Sequence, residues 1–131
     1  MLKILIADDH PIVRKGLKDL LIEEFTSAYI GEAVDCPTLV TKAKEEEWHI
    51  VISDLSMPGG GGLEALRQIK KDLPQLPVLI LSSQPENPYA TRMINEGAAG
   101  YLNKDAAADK LIDAMKCILD GNVYIPAGAT D

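Results

Sequence analysis

The chain has 131 residues, of which 47% are hydrophobic and 25% charged, and its 13 basic and 20 acidic residues give a formal net charge of −7. This length and composition suit one globular domain and exclude a disordered tail or a collagen-like chain. The acidic balance argues against nucleic-acid binding by this segment, because an acidic surface repels a phosphate backbone.

The apolar runs and the cysteines predict a cytoplasmic protein with no membrane association. The longest apolar runs, such as residues 78–81, are far too short to span a bilayer. The N-terminal residues do not continue into the apolar stretch of a signal peptide. Cys36 and Cys117 lie far apart and in no metal-binding spacing, so we expect two reduced thiols.

Strand and helix patterns alternate along the chain. Short apolar runs predict five strands, at Lys3–Ala7, Tyr29–Val34, Ile50–Asp54, Val78–Leu81 and Gly100–Leu102. After each run, apolar residues recur at helical spacing. Five such units predict an α/β domain with an open, doubly wound parallel sheet, since five strands are too few for an eight-stranded barrel.

Polar side chains stand at the ends of four predicted strands, where sheets of this kind bind ligands. They are Asp8 and Asp9 after the first strand, Asp54 on the third, Ser82 after the fourth and Lys104 after the fifth. Crowded carboxylates need compensation, which Mg²⁺ and a lysine can supply. Each residue alone is more often a helix cap or a surface group, but the set suits phosphoryl transfer to a carboxylate.

Four motifs surround these residues: IADDHP at 6–11, DLSMPG at 54–59, LSS at 81–83 and GAAGYLNKD at 97–105. In this set the chain resembles the receiver domain of bacterial two-component response regulators. It is most similar to the NarL/FixJ subgroup. The resemblance extends from residue 3 to about residue 121, and it implies a flavodoxin-like (βα)₅ fold with the sheet order 2-1-3-4-5.

The resemblance also implies a phosphoacceptor and a metal site. Asp54 would receive a phosphoryl group from a histidine kinase. Asp9 would bind Mg²⁺ directly and Asp8 would hold the metal through water. Asp54 and the backbone carbonyl of Ser56 would complete the ligands from the protein.

Further residues would bind the phosphoryl group and respond to it. Lys104 would pair with the group, Ser82 would hydrogen-bond to it, and Tyr101 would turn inward when Ser82 moves. Ser56 and Gln84 each lie two residues past a site residue, where the family tunes the phosphoryl lifetime. Neither offers a clear base for an attacking water molecule, so we expect slow autodephosphorylation.

We expect the remaining candidate residues to have structural roles. The residues at 57–59 predict a sharp turn after the phosphoacceptor. The four consecutive glycines at 59–62 predict a mobile loop before the third helix. We interpret His10 as a residue of the turn that leads into the first helix, and His49 as a surface residue, rather than as ligands.

The end of the chain predicts a second, absent domain. We expect a receiver domain over residues 1–121 and the start of a linker over residues 122–131. In the NarL/FixJ subgroup such a linker leads to a LuxR-type DNA-binding domain, so DNA contact would belong to the missing part. The implied partners are a sensor histidine kinase and a second copy of the chain, with helices one and five as the dimer surface.

We interpret the chain as a signalling domain that catalyses only its own phosphotransfer and dephosphorylation. Three alternatives compete with this interpretation. A pseudo-receiver, which acts as an interaction module without phosphorylation, is disfavoured by the complete acidic cluster and Lys104. A haloacid-dehalogenase-like phosphatase needs a second aspartate two residues after the nucleophile, where this chain has Ser56. A flavodoxin-like cofactor carrier needs a phosphate-binding loop, which the residues after Asp9 do not provide.

Overall fold

The computed structural model describes residues 1–126, apart from the side chains of residues 86 and 87. The strands are β1 (Lys3–Ala7), β2 (Tyr29–Ala33), β3 (Ile50–Asp54), β4 (Val78–Ser82) and β5 (Gly100–Asn103). The helices are α1 (Pro11–Glu24), α2 (Cys36–Glu45), α3 (Gly61–Asp72), α4 (Glu86–Asn95) and α5 (Ala107–Leu119). A 3₁₀ turn, Lys104–Ala106, joins β5 to α5.

The five strands form one parallel sheet in the order β2-β1-β3-β4-β5. The predicted flavodoxin-like fold and strand order are therefore confirmed. Two strands run one residue further than their apolar runs, because Ser82 of β4 and Asn103 of β5 pair with each other in the parallel ladder. The polar side chains of these two residues thus lie within the sheet rather than in the loops that follow.

Both faces of the sheet are covered, which explains the uninterrupted apolar runs. Successive side chains of a strand point to opposite faces. In β1, Ile4 and Ile6 pack against α1 and α5, whereas Leu5 and Ala7 pack against the side formed by α2, α3 and α4. All residues of β3 and β4 are buried, so these two strands form the centre of the core.

The segment after α5 returns to the edge of the sheet. The Tyr124 N–H donates to the Ala99 carbonyl at 2.9 Å, and the Tyr101 N–H donates to the Tyr124 carbonyl at 3.3 Å. This bridge runs parallel to β5. It lies in the segment that we predict as the start of a linker, of which residues 127–131 are outside the described residues.

Within residues 1–126, none of the helices combines the length and the apolar character needed to cross a membrane. Helices α1–α5 are short and amphipathic, and they pack around the sheet.

Glycine is required within residues 59–62 both by the backbone conformation and by close packing. Gly60, which precedes α3, has a φ of 126°, a value that L side chains rarely adopt. At Gly62 an added Cβ would overlap the carbonyl oxygen of Asp54 and lie 2.9 Å from Leu55 Cα. The first turn of α3 is therefore in close contact with the backbone at the end of β3.

We predict that Gly62→Ala destabilises the protein by about 2 kcal/mol, because the new methyl group forces apart two packed backbone segments. Gly16→Ala is the matched control, since Gly16 is exposed in the middle of α1 and a Cβ there meets nothing within 4 Å. The control should stabilise by up to about 1 kcal/mol through helix propensity. Urea denaturation of the variants measures both changes, and equal effects would contradict the packing argument.

Candidate functional site

The sheet register brings the predicted site residues to one edge. Ala7 pairs with Ser53, so Asp8 and Asp54 follow neighbouring positions of adjacent strands. Since the carboxyl ends of all five parallel strands meet at this edge, the residue after β5, Lys104, also lies there. The topology thus places two acidic strand ends beside a basic one.

Lys104 lies between two buried carboxylates. Its Nζ is 3.2 Å from Asp8 Oδ2 and 3.1 Å from Asp54 Oδ2. The side chains of Asp8 and Asp54 are almost fully buried, whereas Lys104 is partly exposed. One ammonium group therefore serves two buried acids, and the exposed Asp9 adds a third negative charge nearby.

The two carboxylates are incompletely satisfied. Asp8 Oδ2 and Asp54 Oδ2 are buried and have no hydrogen-bond partner among the described residues. The Lys104 ammonium is within ion-pair distance of both oxygens. Two buried carboxylates share this one ammonium group, and burying incompletely paired charge is costly, so this edge has a deficit of positive charge.

A hard divalent cation fits this deficit. Ligand atoms of Asp8, Asp9, His10 and Asp54 all lie within 4.8 Å of one another. Mg²⁺ prefers oxygen ligands and is held in proteins by one or two carboxylates together with water. The Ser56 N–H donates to Asp54 Oδ1 at 3.2 Å, while the contact that we predict for the Ser56 carbonyl stays a prediction.

The ring of His10 lies over the acidic pair, a position that the sequence alone does not indicate. The residue caps the amino terminus of α1, as expected of a residue that leads into a helix. Its ring also turns back over the acidic pair, with Nδ1 2.8 Å from Asp8 Oδ1 and 3.1 Å from Asp9 Oδ1. The Pro11 that follows accounts for the helix start but gives no signal for this ring position.

Burial and charge shift the pKa values of the site in a consistent way. Burial raises the pKa of Asp54, and the Asp8 charge adds to this, against the opposing effects of Lys104 and the Ser56 N–H. Burial acts to lower the pKa of Lys104, but Asp54 and Asp8 outweigh it and raise that pKa. The lysine is thus held as the ammonium form.

Ser82, Gln84 and Tyr101 form a second group beside the acids. The Gln84 N–H donates to Ser82 Oγ at 2.9 Å, and the Tyr101 hydroxyl donates to the Gln84 carbonyl at 3.0 Å. The Asn103 amide lies 3.3 Å from the same carbonyl. The backbone of Gln84 therefore joins β5 to the end of β4.

Tyr101 occupies the inward position that the resemblance implies for an activated domain. Its side chain is fully buried among residues of the core between the sheet and α2, α3 and α4. Its hydroxyl is linked to Ser82 through the backbone of Gln84, and the switch role of Tyr101 stays a prediction. Movement of the ring between two positions stays a prediction.

Comparison with known proteins gives a consistent result. The sequence model of the response regulator receiver domain matches residues 4–116. The response regulator GacA of Pseudomonas aeruginosa is 36% identical over 126 residues, which cover 95% of this chain and 58% of GacA. The chain therefore spans less than two thirds of the curated relatives that it matches.

Two solved structures illustrate the similarity. A LuxR-family two-component response regulator from Aurantimonas has 32% identity and a TM-score of 0.88 over 96% of this chain and 90% of that chain. A structure of RcsB dimers bound to two parallel DNAs has 30% identity and a TM-score of 0.85 over 96% of this chain and 64% of that chain.

We predict that Asp54→Asn stabilises the fold at neutral pH by about 1 kcal/mol, because burial makes the ionised carboxylate costly. The pKa of Asp54 is raised in the folded state. Ionisation of this carboxyl group therefore lowers the free energy of unfolding of the wild-type protein, and the full effect is present at pH values above the folded-state pKa. The gain should shrink as the pH falls through the folded pKa and vanish below the ordinary carboxyl range.

Asp72→Asn is the matched control at an exposed carboxylate. The Lys44 ammonium lowers the pKa of Asp72, so this variant should lose stability at neutral pH and recover it in acid. Denaturation midpoints measured across the pH range distinguish the expected gain in stability of Asp54→Asn from the expected loss in Asp72→Asn. A loss of stability at neutral pH in Asp54→Asn would contradict the account of the buried site.

Proposed function

The chain belongs to the response regulator receiver domain family, and we propose that it receives a phosphoryl group from a sensor histidine kinase on Asp54. Response regulators of two-component systems take phosphate from sensor kinases, as signalling domains rather than as enzymes with an external substrate. The observation that carries the proposal is the placement of Lys104 between the buried carboxylates of Asp8 and Asp54. One ammonium group against two buried carboxylates leaves the site short of positive charge.

The residues of the site have complementary roles in this transfer. An Asp54 carboxylate oxygen forms the new bond to phosphorus while the bond from phosphorus to the donor nitrogen breaks. The Lys104 ammonium then pairs with a phosphoryl oxygen. The Ser82 hydroxyl accepts its hydrogen bond from the Gln84 N–H, so it can donate its own proton to another phosphoryl oxygen.

Mg²⁺ is the cofactor that we propose for this site. Asp9 and Asp54 would bind it, Asp8 would hold it through water, and the Ser56 carbonyl would add a further oxygen. Bound Mg²⁺ supplies positive charge to the phosphoryl oxygens during transfer. The grouping of ligand atoms from Asp8, Asp9, His10 and Asp54 within 4.8 Å of one another supports this assignment.

We propose that residues 1–121 are the receiver and that residues 122–131 begin a linker to a LuxR-type DNA-binding domain. The relatives are longer than this chain, and the related RcsB binds DNA as a dimer. In this chain α1 and α5 expose Ile22 and Leu119, which would contribute to a dimer. A cytoplasmic location follows from the same role.

We predict that incubation with acetyl phosphate and Mg²⁺ adds the mass of one phosphoryl group to the intact protein. The gain should disappear in Asp54→Asn and persist in Asp72→Asn, whose carboxylate is exposed and remote from the site. It should also require Mg²⁺. Because Ser56 and Gln84 provide no base for water, the modified mass should persist for minutes after the donor is removed.

Intact-protein mass spectrometry measures the gain and its decay. An unchanged mass in the folded wild-type protein with Mg²⁺ would favour a phosphorylation-independent interaction module over a phosphoacceptor that small-molecule donors can modify. A gain that survives in Asp54→Asn would place the modification elsewhere. Decay within seconds would contradict the expectation about the phosphoryl lifetime alone.

A further inference from the structure

We propose that His10 is an additional ligand of the metal site and that it raises the affinity of the site for divalent transition ions, such as Mn²⁺ and Co²⁺, relative to Mg²⁺. This inference rests on the proposed function in one respect, since it takes the acidic cluster to be a metal site. It adds a nitrogen donor to a site that would otherwise consist of oxygen donors. Selectivity among ions, rather than binding as such, is the property assigned to His10.

The backbone of His10 is fixed on both sides. Its N–H donates to Asp8 Oδ1 at 2.8 Å, and its carbonyl accepts the first hydrogen bond of α1, from the Arg14 N–H at 3.1 Å. Pro11 follows directly and restricts the chain at the start of the helix. These constraints hold the ring next to the acidic pair and leave little freedom beyond the side-chain torsions.

The ring nitrogen already has the spacing of a ligand. His10 Nδ1 lies 2.8 Å from Asp8 Oδ1 and 3.1 Å from Asp9 Oδ1. The distance to Asp9, a proposed direct ligand, is that of neighbouring ligands of an octahedral ion with bonds of about 2.1 Å, which lie about 3 Å apart. The same distances suit hydrogen bonds in the absence of an ion, so the ring can exchange a carboxylate partner for a metal with little movement.

A separate observation indicates a cation at this cluster. The side chains of Asp8 and Asp54 are 1% and 3% exposed, and their Oδ2 atoms share the single Lys104 ammonium, at 3.2 and 3.1 Å. One ligand atom from each of Asp8, Asp9, His10 and Asp54 lies within 4.8 Å of the others. The His10 side chain is 61% exposed, so water can reach the remaining positions.

The chemistry of the donors predicts a change in selectivity. Imidazole nitrogen suits transition ions, and affinity for such ions rises from Mn²⁺ towards Cu²⁺. Mg²⁺ prefers oxygen and keeps several waters, so it gains little from the ring. If His10 only hydrogen-bonded to the aspartates, it would instead compete with every cation alike.

Mn²⁺ bound to the full chain tests the proposal by pulsed electron paramagnetic resonance, which detects a directly coordinated nitrogen. His10→Gln removes the imidazole. His49→Gln is the matched control, because His49 lies at the opposite end of the sheet, where its Nδ1 accepts from the Lys3 N–H at 2.9 Å. Calorimetric titrations with Mg²⁺ and Co²⁺ give the affinities of the same proteins.

We expect nitrogen coupling in the wild type and in His49→Gln. His10→Gln should still bind Mn²⁺, but with oxygen ligands only. Its Co²⁺ affinity should fall by about tenfold or more, the scale seen when a metal site loses a ligand or its support. Its Mg²⁺ affinity should stay within about twofold of the wild type.

Two results would overturn the proposal. Bound Mn²⁺ without nitrogen coupling in the wild type, or equal gains in affinity for all ions in His10→Gln, would show that the ring only hydrogen-bonds to the aspartates; the phosphoacceptor role of Asp54 would then stand. A wild-type chain that binds neither Mn²⁺ nor Mg²⁺ would overturn this proposal together with the metal dependence of the proposed function.

Discussion

The structure depends at its functional edge on one ammonium group between two buried carboxylates. Lys104 approaches Asp8 and Asp54 to 3.2 and 3.1 Å, and it cannot neutralise both. The parallel sheet creates this arrangement, because it brings the ends of β1, β3 and β5 to one edge. Burial raises the pKa of Asp54, and the Asp8 charge adds to this. The remaining negative charge explains why a cation and a phosphoryl group suit the same place.

Strand β5 connects this edge to the end of the described chain. Lys104 follows the strand directly, the Tyr101 hydroxyl and the Asn103 amide reach the Gln84 carbonyl, and the Tyr101 N–H donates to Tyr124. A strand of four residues therefore contacts the acidic cluster, the loop after β4 and the segment after α5. A displacement of β5 at the site would reach the segment after α5 that pairs with it through Tyr124.

The sequence predicted the features that local patterns and strand ends determine. Continuous apolar runs predict β1 and β3 because both faces of these strands are buried, and the polar residues after the strands meet as the topology requires. The ring position of His10 was missed, because Pro11 alone accounts for a helix start there. The bridge from Tyr124 was missed because pairing at a sheet edge depends on the whole fold. The packing of Gly62 against Asp54 was missed because composition does not show which atoms approach.

The central claim is that the buried carboxylates of Asp8 and Asp54 form a site for a divalent cation. The most direct measurement is the thermal midpoint of the wild-type protein in MgCl₂ against NaCl of equal ionic strength, with Asp8→Asn in parallel. An ion that binds only the folded state raises the midpoint by several degrees once it is in large excess over its dissociation constant. The account predicts this rise in the wild type and a much smaller one in Asp8→Asn; identical midpoints in the two salts would contradict it.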